Sequence, residues 1–298
     1  MRSPLCYEFY KKLLDNPLVY RWYLLLGGES YSIRLDFPFD SVPRWGYGKP
    51  SHPKLYELIN AQRDTYRDTL QRFLSLKEYL VKIPRFELSS EPSTPYWMNG
   101  WIPGLDGVAL YSLLVFFNPK HYLEIGSGIS TKFARRAIRD HNLRTKIISI
   151  DPHPRAEIDS ICDTVIRQPL ENVNLTVFDA LEDGDVVFVD GSHRVFMNSD
   201  VTVFFLDVLP KLKQGVLIHI HEIFLPYDYP PEWRERYLSE QYLLAVSLLA
   251  GSERFEILLP NVFISRDQEL SKVLLPLWTH EAMGGIESYG YSCYLKIK

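Results

Sequence analysis

The chain has little cysteine, no long apolar run and no excess of positive charge, and each shortage excludes something. Its 298 residues include three cysteines, Cys6, Cys162 and Cys293, an odd number without CxxC spacing. That argues against a disulfide framework or a thiolate metal centre, and makes a reducing cytoplasm the expected location. The longest apolar stretch, Val108–Phe117, is too short to cross a bilayer, so no membrane partner is expected. The opening MRSPLCYEFYKKLLDN is broken by charge and lacks the apolar centre of a signal peptide. A formal net charge of −4 gives no reason to expect a nucleic-acid partner. The local basic run Arg135, Arg136, Arg139, Arg144 and Lys146 reads as the solvated face of a helix.

What remains is the composition of an ordinary globular protein, 46% hydrophobic and 23% charged, long enough for one large or two modest domains. Residues 5–26 carry apolar side chains at helical spacing, in two pieces divided at Asn16-Pro17. An aromatic, turn-rich stretch follows to Pro53. The spacing of Leu55, Leu58, Ile59, Tyr66, Leu70, Phe73, Leu74, Leu76, Leu80 and Val81 then predicts one long amphipathic helix over 53–81, opened by Pro53 and stopped at Ile83-Pro84. Its apolar stripe needs a packing surface, either the rest of the chain or a partner subunit, so a homodimer is compatible with it. Residues 1–95 are therefore expected to form a helical N-terminal cap, and 96–298 a second domain. Tyr96, Trp97, Asn99 and Trp101 lie in a proline-rich connection suited to a lid or to plain packing, and Asp106 is placed to cap a helix over 107–117.

The chain is organised around HYLEIGSGIST, residues 121–131. His121–Ile125 reads as a buried strand, Gly126-Ser127-Gly128 as a sharp turn, and Ser130 onward as a helix. Doubly wound α/β folds use this unit to hold a nucleotide-like ligand. A dinucleotide fingerprint would have glycine at the position of Thr131, and Glu124 would repel a pyrophosphate but suits an ammonium group or sugar hydroxyls. Strands are further predicted at 146–150, weakly at 163–167, and at 185–190, 215–221, 255–259 and 292–297. Helices are expected at 172–181, 201–212 and 237–249 between them, which gives a mostly parallel sheet. Asp151 ends the second strand about 20 residues past the turn, where such folds hold ribose hydroxyls.

Ligands bind outside the carboxyl ends of the strands in such sheets. That rule gathers Glu124, the glycine turn, Asp151, Asp190 with Ser192-His193, and His221-Glu222. Asp190, His221 and Glu222 offer oxygen and imidazole ligands suited to a divalent cation such as Mg2+. Alternatively His193 or His221 is a general base, because imidazole titrates near neutral pH. His219, on the same face as His221, reads as a hydrogen-bonded core histidine.

The pattern E-x-G-S-G, the DGSH at 190–193 and GVLIHIHEIFLPYDYPPEW at 215–233 together resemble class I S-adenosylmethionine-dependent methyltransferases. The closest likeness is to a largely uncharacterised bacterial subgroup near sugar and natural-product O-methyltransferases. Glu222 stands where that subgroup usually has aspartate. The resemblance implies a Rossmann-like, seven-stranded, mostly parallel sheet whose last strand is an antiparallel, hairpin-like edge. It also implies S-adenosyl-L-methionine as cofactor, held by Glu124, Gly126, Ser127, Gly128, Ser130, Thr131, Asp151 and Asp190. The acceptor would be a small molecule or sugar methylated on oxygen, handled by Asp190, His193, His221 and Glu222. A nicotinamide-dependent oxidoreductase and a non-catalytic interaction protein on the same fold are the alternatives.

Overall fold

The computed structural model describes residues 40–88, 90–251 and 253–298, so the helices expected within 5–26 lie outside the described residues. Val42–Lys298 forms one compact unit. At its centre is a seven-stranded sheet: β1 (His121–Ile125), β2 (Lys146–Ile150), β3 (Thr164–Ile166), β4 (Val186–Val189), β5 (Leu217–Ile220), β6 (Phe255–Pro260) and β7 (Cys293–Ile297). The order is β3-β2-β1-β4-β5-β7-β6. The first five strands are parallel, with β1 between β2 and β4, whereas β7 runs antiparallel to both neighbours. The last strand is thus antiparallel, as the resemblance implies, but it is not an edge. Its ladder to β5 on one side and β6 on the other leaves β6 and β3 at the margins.

Every residue of β4 and β5 is buried, and only the first residues of β1 and β2 are not. Continuous apolar runs form these strands because helices cover both faces and leave no solvated side to alternate with. His219 is one of those buried residues. Its ring lies between Phe188 and Tyr294, at centroid distances of 4.4 and 4.0 Å, and Nε2 meets Ser292 Oγ at 2.7 Å. Burial holds its pKa down at about 3, so it is a neutral core side chain.

The expected long helix over 53–81 is divided into α1 (Pro53–Asn60), α2 (Arg63–Phe73), a 3-10 turn (Leu74–Leu76) and a last helical turn (Lys77–Leu80). The ladder is interrupted at Gln62 and Leu76, both near φ −100°. The apolar period runs through these breaks unchanged, so it cannot register them. Leu55, Ile59, Tyr66, Leu70, Phe73 and Leu80 are all buried, and α2 packs on β6 and on α3 (Gly104–Phe117). In α3 the N-cap position is Pro103, and Asp106 sits inside the first turn with its carboxylate turned inward. It accepts from the amides of Tyr291 and Ser292 and from Asn261 Nδ2, which ties the helix to the segment entering β7.

The glycine turn leads into α4 (Ile129–His141). The helix expected over 172–181 is instead two 3-10 turns, Leu170–Asn172 and Leu175–Ala180, with Asn174 capping the second. The asparagine side chain competes for the backbone amides that a longer helix would use. The helix expected over 201–212 changes type along its length, α to Val203, π over Phe204–Val208 and 3-10 over Leu209–Lys211. Pro210, which has no N–H to donate, sits in the last of these. The helix after β5, α5 (Glu240–Leu249), starts three residues later than expected and packs on α1. Among the described residues no helix is long and apolar enough to cross a membrane.

Candidate active site

A cavity of about 810 Å³ opens over the carboxyl ends of β1, β2 and β4. Its floor is the turn after β1. Gly126 has φ +82°, and a Cβ there would meet the carbonyl oxygen of Asp190 at 2.0 Å, so only glycine lets the two strand ends approach. Gly128 is different. Its backbone is extended, and a Cβ would project into open space, 4.0 Å from the nearest atom of Arg155. Arg155 in turn covers Trp101 at 4.3 Å, so two segments distant in sequence close over the turn.

Glu124 does not reach the cavity. It is fully buried beneath the turn, where Tyr122 Oη (2.7 Å) and Thr131 Oγ1 (2.5 Å) donate to its two oxygens. Thr131 Oγ1 also accepts from the Gly128 amide at 3.1 Å. Burial pushes the Glu124 pKa up to about 7, against the opposing effect of these hydrogen bonds. Glu124 and Thr131 thus fix the shape of the turn. Gly126, Ser127, Gly128 and Ser130 line the cavity itself.

Asp151 also lines the cavity, at the end of β2. Its carboxylate accepts from the amides of Ser127 (2.8 Å) and His153 (2.7 Å), which locks the turns after β1 and β2 to each other. From the end of β4 come Asp190, Gly191 and Ser192. Asp200 holds this second loop by accepting from the Ser192 amide at 2.7 Å, and a Cβ on Gly191 would collide with it.

Behind Asp190 lies a buried chain of charges. Asp190 Oδ1 accepts from His193 Nε2 at 3.1 Å and His221 Nδ1 at 3.2 Å. The far side of His221, Nε2, is 3.3 Å from Asp106 Oδ2. The far side of His193, Nδ1, meets Glu240 Oε2 at 2.8 Å, and its Nε2 also lies 3.4 Å from Glu222. Glu222 is paired through both oxygens with Arg236 Nη2, and that guanidinium stacks on Trp233. His193 and Glu222 have φ of +57° and +56°, sparsely populated for residues with a side chain. Backbone held in that region at two strand ends marks positions that the surrounding contacts over-determine.

The electrostatics follow from the contacts. Burial alone would lower both histidines. The hydrogen bonds from His193 to Asp190 and Glu240, with Glu222 nearby, push it instead up to about 10. The charge of Asp190 and its hydrogen bond, with the charge of Asp106 close by, hold His221 well above the usual imidazole range against the opposing effect of burial. For Asp190 burial would raise the pKa, yet the two imidazolium groups hold it well below the carboxylate range. Burial raises Glu240, with His193 opposing.

The ring nitrogens of His193 and His221 all face carboxylates, which bears on the general-base and divalent-cation expectations. A general base needs a free imidazole lone pair, whereas the carboxylates around His193 and His221 raise their pKa values and favour the protonated form. A divalent cation on Asp190, His221 and Glu222 needs the same lone pair, and Glu222 is already taken by Arg236. Among the described residues no group of three or more His, Cys, Asp or Glu side chains is arranged to hold a metal ion. His193, His221 and Glu222 are brought together with Asp190, but only Asp190 reaches the cavity. Asp106 and Glu240 complete the chain and were not legible as site residues, because each reads as an ordinary acid in the first turn of a helix.

Residues 123–223 match a family model described as a methyltransferase domain. This segment is thus similar to methyltransferase domains. The order of the sheet and the antiparallel β7 are those of the class I, S-adenosylmethionine-dependent kind. The chain is 29% identical over 111 residues, 33% of its length, to an uncharacterized protein of Archaeoglobus fulgidus. The chain spans half the length of that relative. Similar solved structures include the SAH-bound methyltransferase PaMTH1 of Podospora anserina (15% identity, 85% of this chain and 100% of that chain, TM-score 0.40). An O-methyltransferase of Bacillus cereus in complex with SAH matches at 17% identity, 64% and 82% coverage and TM-score 0.35. The plantazolicin methyltransferase BpumL in complex with SAH matches at 14%, 82% and 99% coverage and TM-score 0.41.

Proposed function

We propose that the protein is an S-adenosylmethionine-dependent methyltransferase acting on a hydroxyl of a small molecule or sugar. One observation carries the reading: a single cavity is lined at once by the glycine turn, Asp151 and Asp190, within a segment similar to methyltransferase domains. The residues suit the cofactor. Gly128 leaves backbone open to a ligand, Asp151 offers a carboxylate where ribose hydroxyls would lie, and Pro169-Leu170 supplies an apolar wall for a purine. The cytoplasm is the expected location.

When bound, the cofactor supplies a methyl group on a cationic, already reactive sulfur, so the protein's main task is to position the acceptor against it. Asp190 is suited to that task. Its Oδ1 is occupied by two imidazolium donors, and Oδ2 is free of protein partners among the described residues. The acceptor hydroxyl would donate to Oδ2. An oxygen that has taken a methyl group becomes far more acidic, so a carboxylate of depressed pKa still accepts its proton. The imidazolium pair keeps Asp190 charged and fixed throughout. No step passes through a metal, whose ligands these residues do not offer.

The test has two stages. In calorimetric titration, S-adenosylhomocysteine should bind the intact protein, and Asp151→Ala should weaken it by roughly tenfold, the loss of a charge-assisted contact. With a hydroxylated acceptor found by screening, Asp190→Asn should lower kcat at least ~100-fold while leaving that affinity within a few-fold. Absence of S-adenosylhomocysteine binding to the intact protein would refute the reading.

A further inference from the structure

Lys132 is a buried cation without a settled partner. It is 3% exposed and lines the cavity, yet its ammonium makes no hydrogen bond among the described residues. Its nearest opposite charge is Glu87, 3.9 Å away and itself 57% exposed. With its stem enclosed and no acceptor in hydrogen-bond range, the ammonium borders the cavity at a cost that an acceptor on a ligand there would offset.

Its position raises that cost. Lys132 is the fourth residue of α4, whose first turn carries partial positive charge, so the helix field disfavours a cation there and favours an anion. Helical side chains lean toward the N-terminus, which directs this one back toward the glycine turn. An anion seated there would meet the ammonium and the helix N-terminus together. Glu87 sets a negative charge beside the positive one on the same cavity wall. A pair of opposite charges a few ångströms apart, each without a hydrogen bond to the other, is complementary to a zwitterion. The end of S-adenosylmethionine remote from the purine is an α-amino acid.

We infer that Lys132 and Glu87 recognise the amino-acid end of the cofactor, Lys132 taking the α-carboxylate and Glu87 the α-ammonium. The inference rests on the cofactor reading above. It makes Lys132 a binding residue that discriminates the full cofactor from nucleosides lacking the aminoacyl group. An acidic acceptor could also supply an anion, and the experiment separates the two sources.

Titrations of the full chain would compare S-adenosylhomocysteine with 5′-methylthioadenosine, which keeps the purine, ribose and sulfur but has no amino acid. The intact protein should bind the former at least tenfold more tightly. Lys132→Met should remove most of that preference, weakening S-adenosylhomocysteine about tenfold and leaving 5′-methylthioadenosine within twofold. Glu87→Gln should reduce the preference by a smaller factor. Lys132→Arg, which keeps the charge, should retain most of it and serves if the methionine variant folds poorly. Equal weakening of both ligands, or unchanged S-adenosylhomocysteine binding with a raised KM for the acceptor, would overturn the assignment. Binding of neither ligand to the intact protein would instead remove the cofactor reading, and this inference with it.

Discussion

Glu124 lies beneath the glycine turn and outside the cavity lining, and it shapes the candidate site from below. A carboxylate just ahead of a glycine turn invites the reading that it holds cofactor. The structure uses it underneath, where it joins Tyr122, Thr131 and, through Thr131, the Gly128 amide. Its raised pKa has a consequence for stability. A carboxyl titrating at about 7 in the folded chain and near 4.5 when unfolded binds more protons folded than unfolded throughout that interval. Stability is therefore fully present below about pH 4.5 and is lost as pH rises through about 7, by roughly 3 kcal/mol for a shift of that size. His193 also loses stabilisation with rising pH, from its ordinary value of 6.5 up to about 10, so it contributes to the decline in both proteins compared below. Urea unfolding at pH 5 and pH 8 should show a decline in the native protein that Glu124→Gln reduces by about 1–3 kcal/mol. Equal declines in the two proteins would mean that Glu124 is not protonated in the fold.

At the scale of elements, the turn after β1 assigns different work to its two glycines. Gly126→Ala must place a Cβ 2.0 Å from a backbone oxygen at φ +82°, and the atoms it meets are all backbone of Asp190. A loss of about 3 kcal/mol or more, with at least tenfold weaker S-adenosylhomocysteine binding, is expected. Gly128→Ala meets no such obstacle, so stability should change by no more than about 1 kcal/mol. Its methyl group would occupy ligand space, so affinity should fall by a similar factor. Thermal melts beside titrations of both variants check the contrast, and equal destabilisation would refute it. These turns were legible because they are local: glycine spacing after an apolar run, and an acid at the end of the next run, lie within a few residues of each other. The buried strands were legible for the same reason. The breaks in the helices were not, because apolar period survives a break at Gln62 or a π segment at Phe204–Val208. Nor was the charge chain. Asp106 meets His221 across 115 positions and Glu240 meets His193 across 47, pairings that only the assembled sheet creates.

For the molecule as a whole, the helices at 53–80 and the sheet share one compact unit, and the cavity draws residues from 87 to 200. Leu55, Ile59, Tyr66, Leu70, Phe73 and Leu80 lose their solvent contact against elements that begin after residue 96, and Arg63 is paired with Asp267 at 2.7 Å. Six such side chains represent about 10 kcal/mol of apolar burial, as large as the net stability of a typical domain. A chain starting at residue 96 should therefore have no cooperative unfolding transition, even though it contains the whole sheet. The full chain should respond to ligand as a unit. Saturation at 100 times Kd adds about 2.7 kcal/mol, which for a body of this size raises the melting midpoint by roughly 5–10 °C. Scanning calorimetry with and without S-adenosylhomocysteine distinguishes the cases. If a chain starting at residue 96 melted cooperatively and showed the same ligand shift, the helices at 53–80 would be an appendage. If it shows no transition, they belong to the body that holds the cofactor site.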